Sequence, residues 1–120
     1  MPIKVLCCGG RDYADRENVD RCLNKIHTLL GIDCIIHGDA VGADKLAGAW
    51  ALNRNIAYVA MAAQWDKYGK AAGPIRNAEM IKEQPHLVVA FPGGRGTADM
   101  VQRAQEAGIP VVLCPSRKNG

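Results

Sequence analysis

Phe91-Pro92-Gly93-Gly94-Arg95-Gly96-Thr97-Ala98-Asp99 sets three glycines within four positions between an apolar run, Leu87-Val88-Val89-Ala90, and an amphipathic run, Met100 to Ala107. The order is strand, glycine turn, helix start. Without Cβ atoms at Gly93, Gly94 and Gly96, amide N–H groups at a helix N-terminus can close around an anion, and phosphate is the ligand this pattern suits. The same glycines would also serve a plain tight connection. Three more clusters raise the functional reading: Gly9-Gly10-Arg11-Asp12-Tyr13, His37-Gly38-Asp39-Ala40-Val41-Gly42-Ala43-Asp44, and Gly73-Pro74-Ile75-Arg76-Asn77. Their glycines admit a ligand to the backbone, Arg11 and Arg76 offer planar forks to phosphate, and Asp39 or Asp44 can accept from ribose hydroxyls. Together with Asp12, Gly38, Gly42, Asn77 and Thr97 these are the parts of a nucleotide site. Neither G-x-x-x-x-G-K-[ST] nor a G-x-G-x-x-G after the first strand is present, which excludes a P-loop and a dinucleotide fingerprint.

The elements that position these clusters follow from the apolar periodicity. Strands are predicted over 3–8, 33–36, 56–61, 86–91 and 109–114. Helices are predicted over 15–30, 43–53, from Pro74 as first residue to about Glu83, and over 97–107. Residues 62–73 read as a loop or short helix. Strands that are apolar throughout, alternating with helices, predict a single Rossmann-like three-layer α/β domain over residues 1–114, with a polar tail at 115–120. The simplest doubly wound order of a five-stranded, mostly parallel sheet is 3-2-1-4-5. It reverses between the first and fourth strands, so Gly9-Gly10-Arg11 and the glycine turn face one crevice at the carboxyl edge.

Composition bounds the alternatives. A chain of 120 residues can bury one core without disulfides or a structural metal. No apolar stretch approaches the ~20 residues of a membrane span, and the start, Met1-Pro2-Ile3-Lys4, has no leader pattern, so a cytoplasmic protein is expected. Five cysteines with no C-x-x-C pair read as reduced residues, mostly of buried strands. His27, His37 and His86 are not spaced to join them around zinc, so neither a metal nor a cofactor is implied. A net charge of +3 without a basic run, and two Trp, three Tyr and one Phe without a basic-aromatic stripe, argue against nucleic acid.

Pro92-Gly93-Gly94-Arg95-Gly96-Thr97 resembles the P-G-G-x-G-T motif of the SLOG superfamily, which includes the Lonely-guy phosphoribohydrolases and lysine decarboxylase-like proteins. Arg76-Asn77-Ala78-Glu79-Met80 is similar to the superfamily's R-K-x-x-M, with Asn77 in place of lysine. The order of all four clusters, with Trp65 and Tyr68-Gly69-Lys70 between them, most resembles the small YpsA-related SLOG proteins of bacteria and phages, from about Ile3 to Cys114. The resemblance implies a Rossmann-like fold and a nucleotide or nucleotide-derived ligand. Related enzymes are commonly dimers, and helices flanking the glycine turn could mediate one here.

The resemblance also exposes a departure. The phosphoribohydrolases extend the motif to P-G-G-x-G-T-x-x-E, and their glutamate works with the arginine of R-K-x-x-M on an N-glycosidic bond. Here that position is Met100, which has no acid–base chemistry. If hydrolysis occurs, Asp99 or Asp39 would supply the carboxylate and Arg76 its electrostatic partner; otherwise the chain binds without turnover or serves as an interaction scaffold. Each residue has a plainer use. Thr97 would cap the last helix and Asp99 complement its dipole, Asp39 and Asp44 would cap the second helix, and Arg11 would form a surface ion pair. His37 could serve as acid or base but more simply as a satisfied strand-end residue, and Trp65 and Tyr68 could stack on a base but more simply cover the sheet edge and the helix ends. Arg76, in a first turn that disfavours cations, is the residue such uses explain least.

Overall fold

The computed structural model describes residues 2–115, so all but the first residue of the expected polar tail at 115–120 lies outside the described residues. The elements are β1 (Ile3–Cys8), α1 (Arg16–Leu30), β2 (Ile32–His37), α2 (Ala43–Asn53), β3 (Ala57–Ala60), α3 (Trp65–Tyr68) running into one 3-10 turn (Gly69–Ala71), α4 (Ala72–Lys82), β4 (Leu87–Ala90), α5 (Arg95–Glu106) and β5 (Val111–Leu113). Every strand pairing is parallel, in the order β3-β2-β1-β4-β5.

Alternate residues of the central strands supply two cores. Val5 and Cys7 of β1, Ile35 of β2 and Leu87 and Val89 of β4 meet Val19, Leu23 and Ile26 of α1 and Ala47, Trp50 and Ala51 of α2. Leu6 and Cys8, Ile36, and Val88 and Ala90 meet Met80 of α4 and Met100 and Ala104 of α5 on the other face. Strands buried on both sides show no polar alternation, which is why they read as continuous apolar runs. The edges differ: all four residues of β3, and Val112 and Leu113 of β5, are exposed, these being the two outer strands of the sheet. All five cysteines are free, and burial pushes the Cys8 thiol up to about 12.

Two helix starts depart from the sequence reading. Helix α4 begins at Ala72, so Pro74 is its third residue; the first turn donates no intrahelical bond, and proline is tolerated there as well as at the first position. Helix α5 begins at Arg95 with Gly94 as N-cap, so Thr97 is not the cap. Its first turn holds no acidic residue, and Asp99 falls in the second. Nor do Asp39 and Asp44 cap α2: its N-cap is Gly42, without a side-chain cap. By contrast α1 is capped by Asp15, whose Oδ1 accepts from the Asn18 amide at 3.0 Å.

At the carboxyl edge the β1–α1 and β4–α5 loops touch. The Gly10 amide donates to the Pro92 carbonyl at 2.8 Å, and the Ala43 amide at the head of α2 donates to the Gly10 carbonyl at 3.2 Å. The contact is too close for side chains. A Cβ at Gly9 would lie 2.5 Å from that of Ala43, and one at Gly10 would lie 3.1 Å from the Pro92 carbonyl oxygen. One at Gly93 would meet the Gly10 nitrogen at 2.7 Å and the Thr97 hydroxyl closer still. Gly42 has φ +84 and would drive a Cβ into the Gly10 and Arg11 carbonyls. Left-handed backbone and overpacking each cost roughly 1–3 kcal/mol, so Gly42→Ala is expected to lower stability by about 2–4 kcal/mol in urea denaturation. A loss below about 0.5 kcal/mol would contradict this packing.

Candidate functional site

The loops after β1, β2 and β4, the α3 segment and the first turns of α4 and α5 enclose a cleft of about 640 Å³ at the switch point of the sheet. Its walls bring together Gly9, Gly10, Arg11, Asp44, Arg76, Asn77, Gly94, Gly96, Thr97 and Asp99 from the sequence-derived set. They also include Trp65, Lys70 and Arg95. Asp12, Gly38, Asp39, Gly42 and Gly93 lie off the wall. Gly38 sits directly behind it, where a Cβ would strike the Arg76 guanidinium and come within 2.9 Å of Asp44 Oδ2.

Arg76 lies in the second turn of α4, so an unfavourable helix dipole does not account for its placement. It spans from the helix to the ends of β2 and β3, its Nη1 donating to the Gly38 carbonyl at 2.5 Å and the Met61 carbonyl at 3.4 Å. Nε donates to Asn77 Oδ1 at 3.1 Å. Burial lowers its pKa, Asp44 opposes this, and the nearby Arg11 charge lowers it further. Asp44, 6% exposed, accepts from the Ala40 amide at 3.2 Å, and burial raises its pKa against the pull of Ala40, Arg76 and Gly38. The guanidinium and carboxylate thus share a half-dry wall.

Asn77 is buried and fastens α4 to α5. Its Nδ2 donates to the Gly96 carbonyl at 3.1 Å and to Asp99 Oδ2 at 2.9 Å, and Arg103 Nε holds the same Asp99 oxygen at 2.8 Å. Asp99 therefore reaches the cleft already engaged on two sides. Met100, one residue on, is fully buried in the core beneath α5. Asp39 has φ +57 in the loop after β2 and pairs with Lys45 at 2.5 Å, which lowers its pKa. His37 is buried; its Nδ1 accepts from the Asp39 amide at 3.0 Å and its ring stacks on Tyr58.

Trp65 and Tyr68 do not cover the sheet edge. They are 47% and 39% exposed, Trp65 on the cleft rim with the Arg11 guanidinium 5.2 Å above its ring. Arg95 and Lys70 were not singled out from the sequence. A cation in the first turn of α5 opposes the helix dipole, which is the signal that would have marked Arg95. Lys70 follows Tyr68-Gly69 without periodicity, and only the fold brings it to the cleft. Arg11, Lys70, Arg76 and Arg95 thus face Asp44 and an Asp99 held by Arg103, leaving the cleft positive. Among the described residues no group of His, Cys, Asp and Glu could hold a metal, and no helix is long and apolar enough to cross a membrane.

The glycines separate by what surrounds them. Gly9, Gly10, Gly38, Gly42, Gly48, Gly73 and Gly93 each have a neighbour that a Cβ would crowd, and Gly31, Gly69 and Gly108 have positive φ. Gly94 and Gly96 have neither, and open into the cleft at the start of α5, a helix that no side chain caps.

This is a Rossmann-like domain with an electropositive cleft at its topological switch point. The model of the YspA, cpYpsA-related SLOG family matches residues 3–68, more than half of the chain, and the chain belongs to that family. It is 37% identical over 117 residues to the Gene 61 protein of Mycobacterium phage D29, covering 91% of this chain and 94% of the relative. The fold is similar to DNA processing protein A (DprA) from Streptococcus pneumoniae, with a TM-score of 0.73 at 21% identity over 93% of this chain. This chain spans half of the DprA chain, 50%. It is also similar to the Moco carrier protein from Chlamydomonas reinhardtii, with a TM-score of 0.62 at 19% identity over 96% of this chain and 77% of that one.

The buried His37 gives the fold a pH dependence. Burial, with Lys45 and Arg76 nearby, lowers its pKa against the pull of Asp39, whereas the unfolded side chain titrates at about 6.5. Below about 6.5 the unfolded state binds more protons, so this contribution to stability is lost as pH falls toward the depressed folded value. Asp44 acts in the opposite sense, its raised pKa making its contribution greatest below about 3.9 and smaller as pH rises through the folded value. Between about pH 5 and 7 the urea midpoint of the parent should rise more with pH, or fall less, than that of His37→Asn, which keeps an acceptor for the Asp39 amide and leaves the Asp44 contribution common to both. An unchanged slope in the variant would contradict the assignment.

Proposed function

We propose that the cleft binds a nucleotide or nucleotide-derived small molecule, with phosphate on the Gly94–Thr97 amides and the sugar toward Gly9, Gly10 and Asp44. The observation that carries this reading is the pair Gly94 and Gly96. Among the described residues nothing lies where a side chain at either would go; Gly96 carries the argument furthest, because its place inside α5 needs no glycine, whereas Gly94 at φ −104 and ψ −138 also serves a backbone that side chains disfavour. Both stand at an uncapped helix N-terminus, where bare amides attract an anion and a Cβ would keep it at a distance. Arg76 supplies a fork already oriented by Gly38 and Asn77, and Arg11, Lys70 and Arg95 add positive charge around it. The volume falls within the roughly 300–1,000 Å³ of small-molecule sites.

Binding is favoured over cleavage of an N-glycosidic bond. Met100 occupies the glutamate position of the related hydrolases and is spent on the core. Asp99 reaches the cleft but shares one oxygen between Arg103 and Asn77, which suits a carboxylate fixed as a structural tie more than one free to take a proton. A bare interaction scaffold would have no use for the open glycines.

Gly96→Ala separates the two uses of that glycine. Alanine in α5 meets no neighbour and is the better helix former, so the variant should be as stable as the parent or more so, by up to about 1 kcal/mol. Binding of AMP, ADP-ribose and inorganic pyrophosphate, followed by thermal shift and calorimetry, should weaken at least tenfold. Equal affinity in parent and variant, or no binding of any of the three by the parent, would contradict the cradle. Free base released from AMP or ADP-ribose would turn the reading toward the hydrolase.

A further inference from the structure

The two tryptophans are treated differently by the fold. Trp50 is buried between α1 and α2, with Nε1 donating to Asn24 Oδ1 at 2.9 Å. Trp65 is nearly half exposed on the rim of the cleft, on a single-turn helix none of whose residues is buried. An indole left in water forgoes a large gain from burial. Yet the ring is not loose: its Cη2 edge lies against Gly73, where a Cβ would come within 3.3 Å. Gly73 stands in the first turn of α4, where alanine would be the better helix former, and its bare backbone gives the ring room on the cleft wall.

The ring carries the Arg11 guanidinium 5.2 Å from its centroid. Arg11 has no carboxylate partner among the described residues, and its charge is close enough to lower the Arg76 pKa. A cation over an indole face is stabilised by about 0.5–1 kcal/mol where exposed, a bond that a ligand can exchange. Tyr68, the other exposed aromatic of this segment, carries Lys67 over its ring at 5.0 Å and does not line the cleft.

We propose that Trp65 is the platform on which the aromatic base of the ligand stacks, and that Arg11 is the side chain the base displaces. The inference rests on the reading of the cleft as a nucleotide site. Two stacked layers at carbon contact distance need about 7 Å, more than the 5.2 Å between Arg11 and the ring, so base and guanidinium cannot share this face as they stand. Released from the indole, Arg11 is free to turn to the phosphate over the neighbouring glycine turn, across the cleft from the Arg76 guanidinium held at Gly38 and Met61. Base recognition and phosphate neutralisation are then one exchange: the ligand brings a π-face to Trp65 and takes up the cation that occupied it. Every base has a π-face, so the platform selects for the presence of a base over a bare sugar phosphate and discriminates little among bases.

The test is calorimetric titration of the parent, Trp65→Leu and Trp65→Phe with AMP and with ribose 5-phosphate. AMP should bind the parent more tightly than ribose 5-phosphate. Trp65→Leu should weaken AMP by about 5- to 150-fold, the range that stacking supplies, while ribose 5-phosphate binding is kept or tightened up to about fivefold because Arg11 no longer has to leave an indole, and Trp65→Phe should restore most of the AMP loss. Retained ribose 5-phosphate binding also shows that the variant is folded. If the parent binds both compounds equally, or Trp65→Leu binds AMP as the parent does, the platform is overturned while the phosphate site stands. Equal losses for both compounds overturn it too, and failure of the parent to bind either overturns platform and site together.

Discussion

The contact between the β1–α1 and β4–α5 loops is the constraint on which the rest of the molecule depends. A parallel sheet that reverses its winding between β1 and β4 sends two chains away from adjacent strand ends in opposite directions, and the gap between them is the natural ligand crevice. Here the gap is closed at its base by the Gly10–Pro92 hydrogen bond, and the head of α2 is drawn in by the bond from Ala43 to Gly10. Side chains at Gly9, Gly10, Gly42 or Gly93 would pry this junction apart. With them absent, the starts of α2 and α5 stand on one platform, and the cleft opens above it.

That junction explains why polar groups can be placed so economically. Asn77 is buried between α4 and α5 with every side-chain polar atom engaged, and it positions both the Gly96 peptide and Asp99. Arg76 is aligned by the carbonyls of Gly38 and Met61 and, among the described residues, has no ion pair within bonding distance. A guanidinium neutralised by carbonyl dipoles keeps its charge for a ligand, whereas one locked to a carboxylate would not. Asp99 with Arg103 illustrates the second case: charge is consumed inside the protein, and the helix is tied down in return.

Much of this was legible in the residues. Continuous apolar runs marked β1, β2 and β4, because strands buried on both faces show no polar alternation, and the strand order followed from the simplest doubly wound winding of five strands. Helix starts were less legible. Pro74 and Thr97 are strong N-terminal signals, but each is equally at home two residues inside a helix, and α4 and α5 begin earlier than either suggests. The early start of α5 also moves Asp99 out of the first turn, where a carboxylate would complement the helix dipole. The division of the glycines could not be read at all: sequence shows that a Cβ is absent, and only the fold shows whether something else occupies its space. Lys70 was hidden for the same reason, while Arg95 carried a readable sign in its unfavourable place at the head of a helix.

The central claim is that the amides at the start of α5 are an anion site. Titration with AMP followed by backbone amide NMR tests it most directly, because each peptide reports separately. The account predicts that the largest shifts fall on Gly94, Arg95, Gly96 and Thr97, with smaller ones at Gly10 and Arg11. Shifts centred on Val101, Gln102, Gln105 and Leu113 of the apolar hollow between α5 and β5, with Arg95 and Gly96 silent, or no response at Gly94 to Thr97 while AMP binds elsewhere, would contradict it.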